Sequence, residues 1–423
     1  MNPTASRLLL VAALLLAVLA GAGGIRLASA LQPAVVDAAP PVPAGTRPGD
    51  VLAATELRTV SADEVRAILA DAGFAPPSPA RAVRLTRVAY ASLDPSDAVV
   101  PATGLVAVPE PGTPTLVPAV HLHGSALNRG AVPCQAASPF LYGPALALAS
   151  RGYAAVLPDY LGLGGAPGRH PYLQHRSEAQ SAVDLLLAAR TLLAEQGTAL
   201  DDEVLVSGFS QGGSAALSLA RQLSSDASRF RPLAVAAIAG PHAIADAQLP
   251  AMLAGDLDPR SSAIYLAYLF TAWNEPHQLY DSPAELFRQP WANHVEGLFD
   301  GGHAELAVVL GLPGRPERLL TDRGLDLLRH PSGGFAAGIA DADDLCRSWA
   351  TAIQVLLLAS PADEQFAFAN TTTCGHRLTA SGARNVTTID LPPPAHRSGH
   401  LGSALTGLDV VVERWVELRP ASA

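Results

Sequence analysis

The pentapeptide Gly208-Phe209-Ser210-Gln211-Gly212 holds the first side chain in this sequence with an obvious chemical use. It fits G-x-S-x-G, and it stands between the apolar run EVLVSG and the small-residue segment SAALSLARQLS, a strand followed by a helix. A strand-to-helix turn that tight leaves no space for side chains two residues either side of the serine, which accounts for Gly208 and Gly212. It would lift the Ser210 hydroxyl off the sheet and aim the backbone N–H of Gln211 where an oxyanion forms. The positive end of the helix dipole would lie beneath. The plainer reading is a structural turn, and the position between strand and helix favours a nucleophile.

A serine hydroxyl needs a base to take its proton, and the base needs an acid to orient it. In the chain order Ser…Asp…His of α/β-hydrolases, the acid follows a late strand. AIQVLLLAS is such a strand and PADE follows it, so Asp363 is the expected acid, with Glu364 the immediate alternative. The segment NVTTIDLPPPAHRSGHLGSAL offers His396 and His400 in a loop between the last strand and the terminal helix. Gly399, Leu401 and Gly402 flank His400 and permit close approach, so His400 is the expected base and His396 the alternative. His376 reads as a surface helix residue. The strand in VPAVHLHGSALNRG ends at His123-Gly124, and the backbone N–H of Ser125 is the expected second oxyanion donor beside that of Gln211. An ordinary strand-end loop with a packed histidine is the alternative there.

Other chemistries find little support. His170 and His175 in GRHPYLQHR lie close together, but no cysteine or carboxylate completes a ligand set, and packing or hydrogen bonding explains them better than a metal. Neither G-x-G-x-x-G with a following acidic residue nor G-x-x-x-x-G-K-[ST] occurs, so no cofactor is expected. The formal net charge is -10, and the sequence has no lysine. Without basic clusters, nucleic acid is not an expected partner.

These residues must be positioned by a large core, for which 423 residues, 49% of them hydrophobic, are ample. Strands are expected near 83–91, 99–108 and 115–122, after a short strand and the helix SADEVRAILADAG, where Ser61 and Glu64 form a capping box. From LYGPALALASRG onward helices and strands alternate: YAAVLPDY, a helix from 177, EVLVSG, a helix, and LAVAAIAG. Such alternation implies a mostly parallel central sheet covered by helices on both faces, with its site beyond the carboxyl ends of the strands. From about 242 to 345 the pattern turns to helical fragments and loops, which reads as a helical cap inserted between two strands of one sheet. The hydrolase domain is then 51–423.

Ahead of it, residues 31–50 are rich in Pro and Ala and read as a linker or extended arm. At the start, a segment ending in Arg7 precedes the uncharged run LLLVAALLLAVLAGAGG, and Leu27-Ala28-Ser29-Ala30 offers an Ala-x-Ala site. That is the signature of a secretory signal peptide over 1–30, with an uncleaved membrane anchor as the alternative. The three cysteines, Cys134, Cys346 and Cys374, fit an oxidising compartment. Cys346 and Cys374 are the nearest pair, although sequence does not fix connectivity.

The stretches HGSALNRGAVPCQAAS, GYAAVLPDYLGLGGAPGRHPYLQHRSEAQSAVDLLLAAR and GFSQGG together resemble the secretory lipase family, α/β-hydrolases similar to yeast-type lipase A and their bacterial relatives. The resemblance runs from about residue 48 to the end, and PDYLGLG…HPYL…RSEA is its most specific part. It implies a secreted carboxylic ester hydrolase with Ser210 as nucleophile, Asp363 as acid and His400 as base. A helical cap would enclose an acyl pocket. An ester or lipid substrate, and transient contact with a lipid interface, follow from the same resemblance. The chain departs from the family in reading Cys134-Gln-Ala-Ala-Ser where members often show Cys-Ala-Pro-Ser, and in carrying the second histidine, His396. A serine peptidase of prolyl-peptidase type shares such a core, but there is no room for a propeller before it. A non-catalytic binding protein on the same scaffold would not need all three residue types in order.

Overall fold

A computed structural model describes residues 36–78, 80–225, 230–393 and 398–419. The expected signal peptide and His396 lie outside the described residues. Nine strands form one sheet: β1 (Val51–Val60), β2 (Ala82–Leu93), β3 (Val99–Glu110), β4 (Pro118–Leu122), β5 (Ala154–Pro158), β6 (Glu203–Phe209), β7 (Arg231–Ile238), β8 (Gln354–Ala359) and β9 (Asn385–Asp390). Their order in space is β1-β2-β3-β5-β4-β6-β7-β8-β9. The first three strands pair antiparallel with one another, and β3 pairs antiparallel with β5. All pairs from β5 to β9 are parallel. The expected mostly parallel sheet is therefore present.

The middle strands have near-continuous apolar sequences, and PAVHL and AAVLP are buried at every residue, because helices cover them. The helices beside the sheet are α1 (Ala62–Ala72), α2 (Pro139–Ala149), α3 (His175–Glu195) and α4 (Gln211–Ser225), followed after the helical insertion by α12 (Ala369–Ala380) and α13 (Gly399–Leu418). Helix α3 packs beside α4, while α2 contacts both α1 and α13. At the start of α1 both hydrogen bonds of the expected Ser61–Glu64 capping box are formed. Residues 36–50 lie against this body: Ala39 N–H donates to Gly165 O and Gly49 N–H to Ala91 O. Cys346 and Cys374 are disulfide-bonded and Cys134 is a buried free thiol.

Between β7 and β8 the chain builds helices α5 (Leu249–Ala254), α6 (Pro259–His277), α7 (Val295–Leu298), α8 (Glu305–Gly311), α9 (Pro316–Leu319), α10 (Asp322–Arg329) and α11 (Gly333–Asp343). This layer has its own apolar core, which takes in Leu127, Tyr172 and Leu173 from the sheet side. One local expectation changes. His400 was expected in the loop before the terminal helix, yet that helix begins at Gly399, so His400 sits in its first turn. The physical reason is at hand: the Ser398 hydroxyl accepts from Leu401 N–H and starts the helix, and Gly399 lies so close to the acid loop that a Cβ there would be 2.0 Å from Ala362 O.

Candidate active site

Ser210 leaves β6 directly and precedes the first residue of α4, with φ at 57°, a left-handed conformation that costs a non-glycine residue energy. The two glycines make that turn possible. A Cβ on Gly208 would stand 2.0 Å from Gly212 O, and one on Gly212 would stand 2.0 Å from Leu122 O. Both obstacles are backbone, so no rotamer change relieves them. This is the sharp, strained turn the sequence pattern called for.

Three chain segments converge here from the carboxyl ends of parallel strands. Asp363 follows β8, His400 follows β9, and His123-Gly124-Ser125 follows β4. His400 Nε2 lies 3.0 Å from Ser210 Oγ, and His400 Nδ1 lies 2.8 Å from Asp363 Oδ2. A carboxylate only accepts, so the proton sits on Nδ1 and the Nε2 lone pair faces the serine hydroxyl. The other oxygen, Asp363 Oδ1, accepts from Gln365 N–H at 2.8 Å and Phe366 N–H at 2.9 Å, which fixes the carboxylate plane. Glu364 reaches His400 only through a long contact to its backbone, Oε2 being 3.4 Å from His400 N. Of the two acid candidates, Asp363 meets the histidine ring. Rings of Phe209 and Phe366 flank that ring at 4.7 and 5.1 Å and shield it from water.

The backbone N–H of Gln211 opens α4 and has no acceptor within its helix. Gly124 runs alongside: a Cβ there would lie 3.3 Å from Ser210 Cβ, which brings the following residue, Ser125, beside Ser210. The PDYL segment holds that loop, with Tyr160 Oη donating to His123 O at 3.0 Å. Asp159, buried, accepts from Thr103 Oγ1 and Cys134 N–H. Burial pushes the Asp159 carboxyl and the Cys134 thiol up from their ordinary values.

Burial disfavours the charged form of three other histidines in the core. It strips hydration from their cations and lowers His121 to about 3, His170 to about 4 and His242 to about 3. His170 and His175 are buried and hydrogen-bonded to protein groups, as expected of packed histidines. Among the described residues no cluster of His, Cys, Asp and Glu has metal-ligand geometry. His376 is exposed on α12.

Helix α6 contacts the loops around the site through its tyrosines and Trp273. Tyr265 Oη donates to Gln365 Oε1 in the acid loop, and Tyr268 Oη donates to Ala126 O just past Ser125. Tyr268 also stacks on Tyr172 with ring centroids 4.1 Å apart, and Trp273 Nε1 donates to Tyr172 O at 3.1 Å. Ser210 is 2% exposed and His400 3%. Two residue types here escaped the sequence reading: the Tyr172–Tyr268 pair, and Glu178, which holds the Gln211 side chain. Their signal was present in HPYL and RSEA, whose spacing matched a family without disclosing why.

Comparison with solved structures places the geometry in context. The rice cell wall degrading esterase LipA from Xanthomonas oryzae is 25% identical, with a TM-score of 0.76 over 88% of this chain and 98% of that one. A Legionella pneumophila protein provisionally described as a hydrolase superposes with a TM-score of 0.79 at 21% identity, over 88% and 99% of the two chains. Candida antarctica lipase A in its closed state matches with a TM-score of 0.58 at 15% identity, over 82% and 77%. No protein-family model and no curated protein sequence matches the chain. Sheet order, the serine turn and these neighbours agree on an α/β-hydrolase fold similar to that of lipases and esterases, and support a carboxylic ester hydrolase.

Proposed function

We propose that this chain is a secreted serine esterase or lipase that works through an acyl-enzyme, with Ser210 as nucleophile, His400 as base and Asp363 as orienting acid. The observation that carries the reading is the unbroken hydrogen-bond line Ser210 Oγ, His400 Nε2, His400 Nδ1, Asp363 Oδ2 on a strained strand-to-helix turn. His400 takes the Ser210 proton as Oγ bonds to the ester carbonyl carbon, and the carbonyl π pair moves onto oxygen. The N–H groups of Gln211 and Ser125 receive that oxyanion. Collapse breaks the bond to the alcohol, which leaves with the proton held on His400. Water, deprotonated by the same nitrogen, then attacks the acyl group and releases the acid, returning Ser210 to its hydroxyl form.

The cap at 242–345 is the part that would shape the acyl pocket, and its inner surface is aromatic and aliphatic. Export is supported by the charged start, apolar run and Ala-x-Ala site at 1–30, and by the disulfide. No helix among the described residues is long and apolar enough to cross a membrane. Contact with a lipid interface would be transient.

The test is turnover of p-nitrophenyl esters of rising acyl length beside a prolyl-peptide substrate, with Ser210→Ala as control. Ester turnover that Ser210→Ala lowers by about 10⁶ is the expected outcome. Peptide cleavage without ester turnover would overturn the substrate assignment. An N-terminal sequence of exported protein beginning at Leu31 checks the processing.

A further inference from the structure

A backbone donor is useful only if its peptide plane is held still. The Gln211 side chain is fully buried, and its Nε2 lies 2.7 Å from His170 Nε2 and 2.6 Å from Glu178 Oε1. His170 Nδ1 is 2.9 Å from Leu161 O, which can only accept, so Nδ1 carries the ring proton and Nε2 accepts from Gln211. Both amide N–H groups are thereby committed, and Gln211 cannot rotate without abandoning two buried partners.

Glu178 is the hub of this arrangement. It is 1% exposed, and besides Gln211 it accepts from Leu173 N–H at 3.1 Å and faces His175 Nδ1 at 3.0 Å. The residue before Leu173 is Tyr172, whose Oη lies 2.9 Å from Ser125 Oγ. One buried carboxylate therefore stands on the path between the two residues whose N–H groups would hold an oxyanion. No arginine pairs with it among the described residues. Burying an acid is costly, and a helix built for stability alone would carry an apolar residue there.

We propose that Glu178, acting through the Gln211 side-chain amide and the His170–Leu173 segment, positions both donors of the oxyanion hole. Glu178, His170 and Tyr172 are then positioning residues, and the HPYL…RSEA spacing brings them together. The inference rests on the ester-hydrolase reading of Ser210.

Gln211→Met keeps length and burial but removes both hydrogen bonds. Its kcat on a p-nitrophenyl ester should fall about 30- to 100-fold with KM within about threefold, the scale of a small displacement of a catalytic group. Glu178→Leu should fall similarly, while Glu178→Gln, which keeps an acceptor oxygen for Gln211 and Leu173, should recover to within about fivefold. The double variant Gln211→Met/Glu178→Leu should be no slower than the slower single, because both break one linkage.

A kcat within threefold of wild type in folded Gln211→Met overturns the proposal, as do multiplying losses in the double variant or a Glu178→Gln enzyme no better than Glu178→Leu. A role confined to capping α3 would lower the melting temperature and leave kcat alone, which also overturns it. Should Glu178→Leu fail to fold, Tyr172→Phe keeps the stack on Tyr268 and removes only the hydroxyl. A five- to tenfold loss of kcat at constant KM is expected there, about one neutral hydrogen bond's worth, and an unchanged kcat overturns the Ser125 arm. Ser210→Ala, assayed alongside, separates the two readings. If it retains turnover, the ester-hydrolase mechanism fails. If it alone is inactive while the Gln211 and Glu178 variants match wild type, only the positioning proposal fails.

Discussion

Asp363→Asn is the substitution whose outcome the geometry fixes most tightly. Asp363 Oδ1 accepts two backbone N–H groups, from Gln365 and Phe366. An asparagine must present its only oxygen to those donors, since an NH₂ group turned toward them would leave three donors facing one another. Its Nδ2 then occupies the place of Asp363 Oδ2, 2.8 Å from His400 Nδ1. That NH₂ donates to Nδ1, which must become the acceptor, and the ring proton moves to Nε2. Nε2 then points a proton at Ser210 Oγ and can no longer take one from it. The loss should be about 10⁴ in kcat, equivalent to about 5 kcal/mol of transition-state stabilisation, as for the wrong tautomer in serine proteases. Because the carbonyl oxygen keeps both backbone donors, folding should be nearly undisturbed. The assay is kcat on a p-nitrophenyl ester beside a urea denaturation curve. A variant within tenfold of wild type, or a larger loss from Glu364→Gln than from Asp363→Asn, would refute the assignment.

Three further outcomes follow from other parts of the chain. Gly212→Ala drives a Cβ to 2.0 Å from the Leu122 carbonyl, so it should cost at least about 3 kcal/mol of stability and abolish turnover; a soluble, active variant contradicts the elbow geometry. Removing the Cys346–Cys374 bond, which spans 28 residues, by Cys→Ala at both sites should cost about 3–4 kcal/mol in urea, with reductant giving the same loss in wild type. Asp184 is buried against Ser92 and Gln180, and burial raises its carboxyl to about 6. Because the folded value lies above the unfolded one, its protonated form favours folding below pH 4, and that contribution is lost as pH rises through about 6. Asp184→Asn should therefore gain thermal stability relative to wild type between pH 4 and 7, and a difference independent of pH would contradict the sign.

Much of this site was legible because its constraints are local. Gly208 and Gly212 mark a turn with no space for a Cβ, and that requirement is written in residue type at fixed spacing. The order of Ser210, Asp363 and His400 follows from strand succession in a parallel sheet, where each loop ends at the same edge. The long buried strands announced themselves by unbroken apolar runs. The start of α13 was misplaced because Pro392-Pro393 and Gly399 read as loop residues, whereas Gly399 is there to let the helix touch the acid loop. Glu178 was opaque for a different reason. A charged residue in the first turn of a helix normally means a solvated face that favours the dipole. Nothing within ten residues of it reveals that Gln211, 33 positions on, lies 2.6 Å away.

The burial of Ser210 gives that hidden link a second consequence. Ser210, the proposed nucleophile, is 2% exposed, so the groups packed around it set how an ester would approach. Helix α6 touches the acid loop through Tyr265, the loop after β4 through Tyr268, and the HPYL segment through Tyr268 and Trp273. Tyr172 is common to both systems: one face stacks on α6 and its hydroxyl meets Ser125. Without α6, Tyr172 would lose the ring it rests on, and the Ser125 side chain part of its support. The Gln211 end is anchored to Glu178 and to His170, whose ring also packs edge-on against Tyr268 of α6 at 6.2 Å. Through Tyr172 on one side and His170 on the other, both proposed oxyanion donors therefore border α6, so a change in cap position would be felt at either of them.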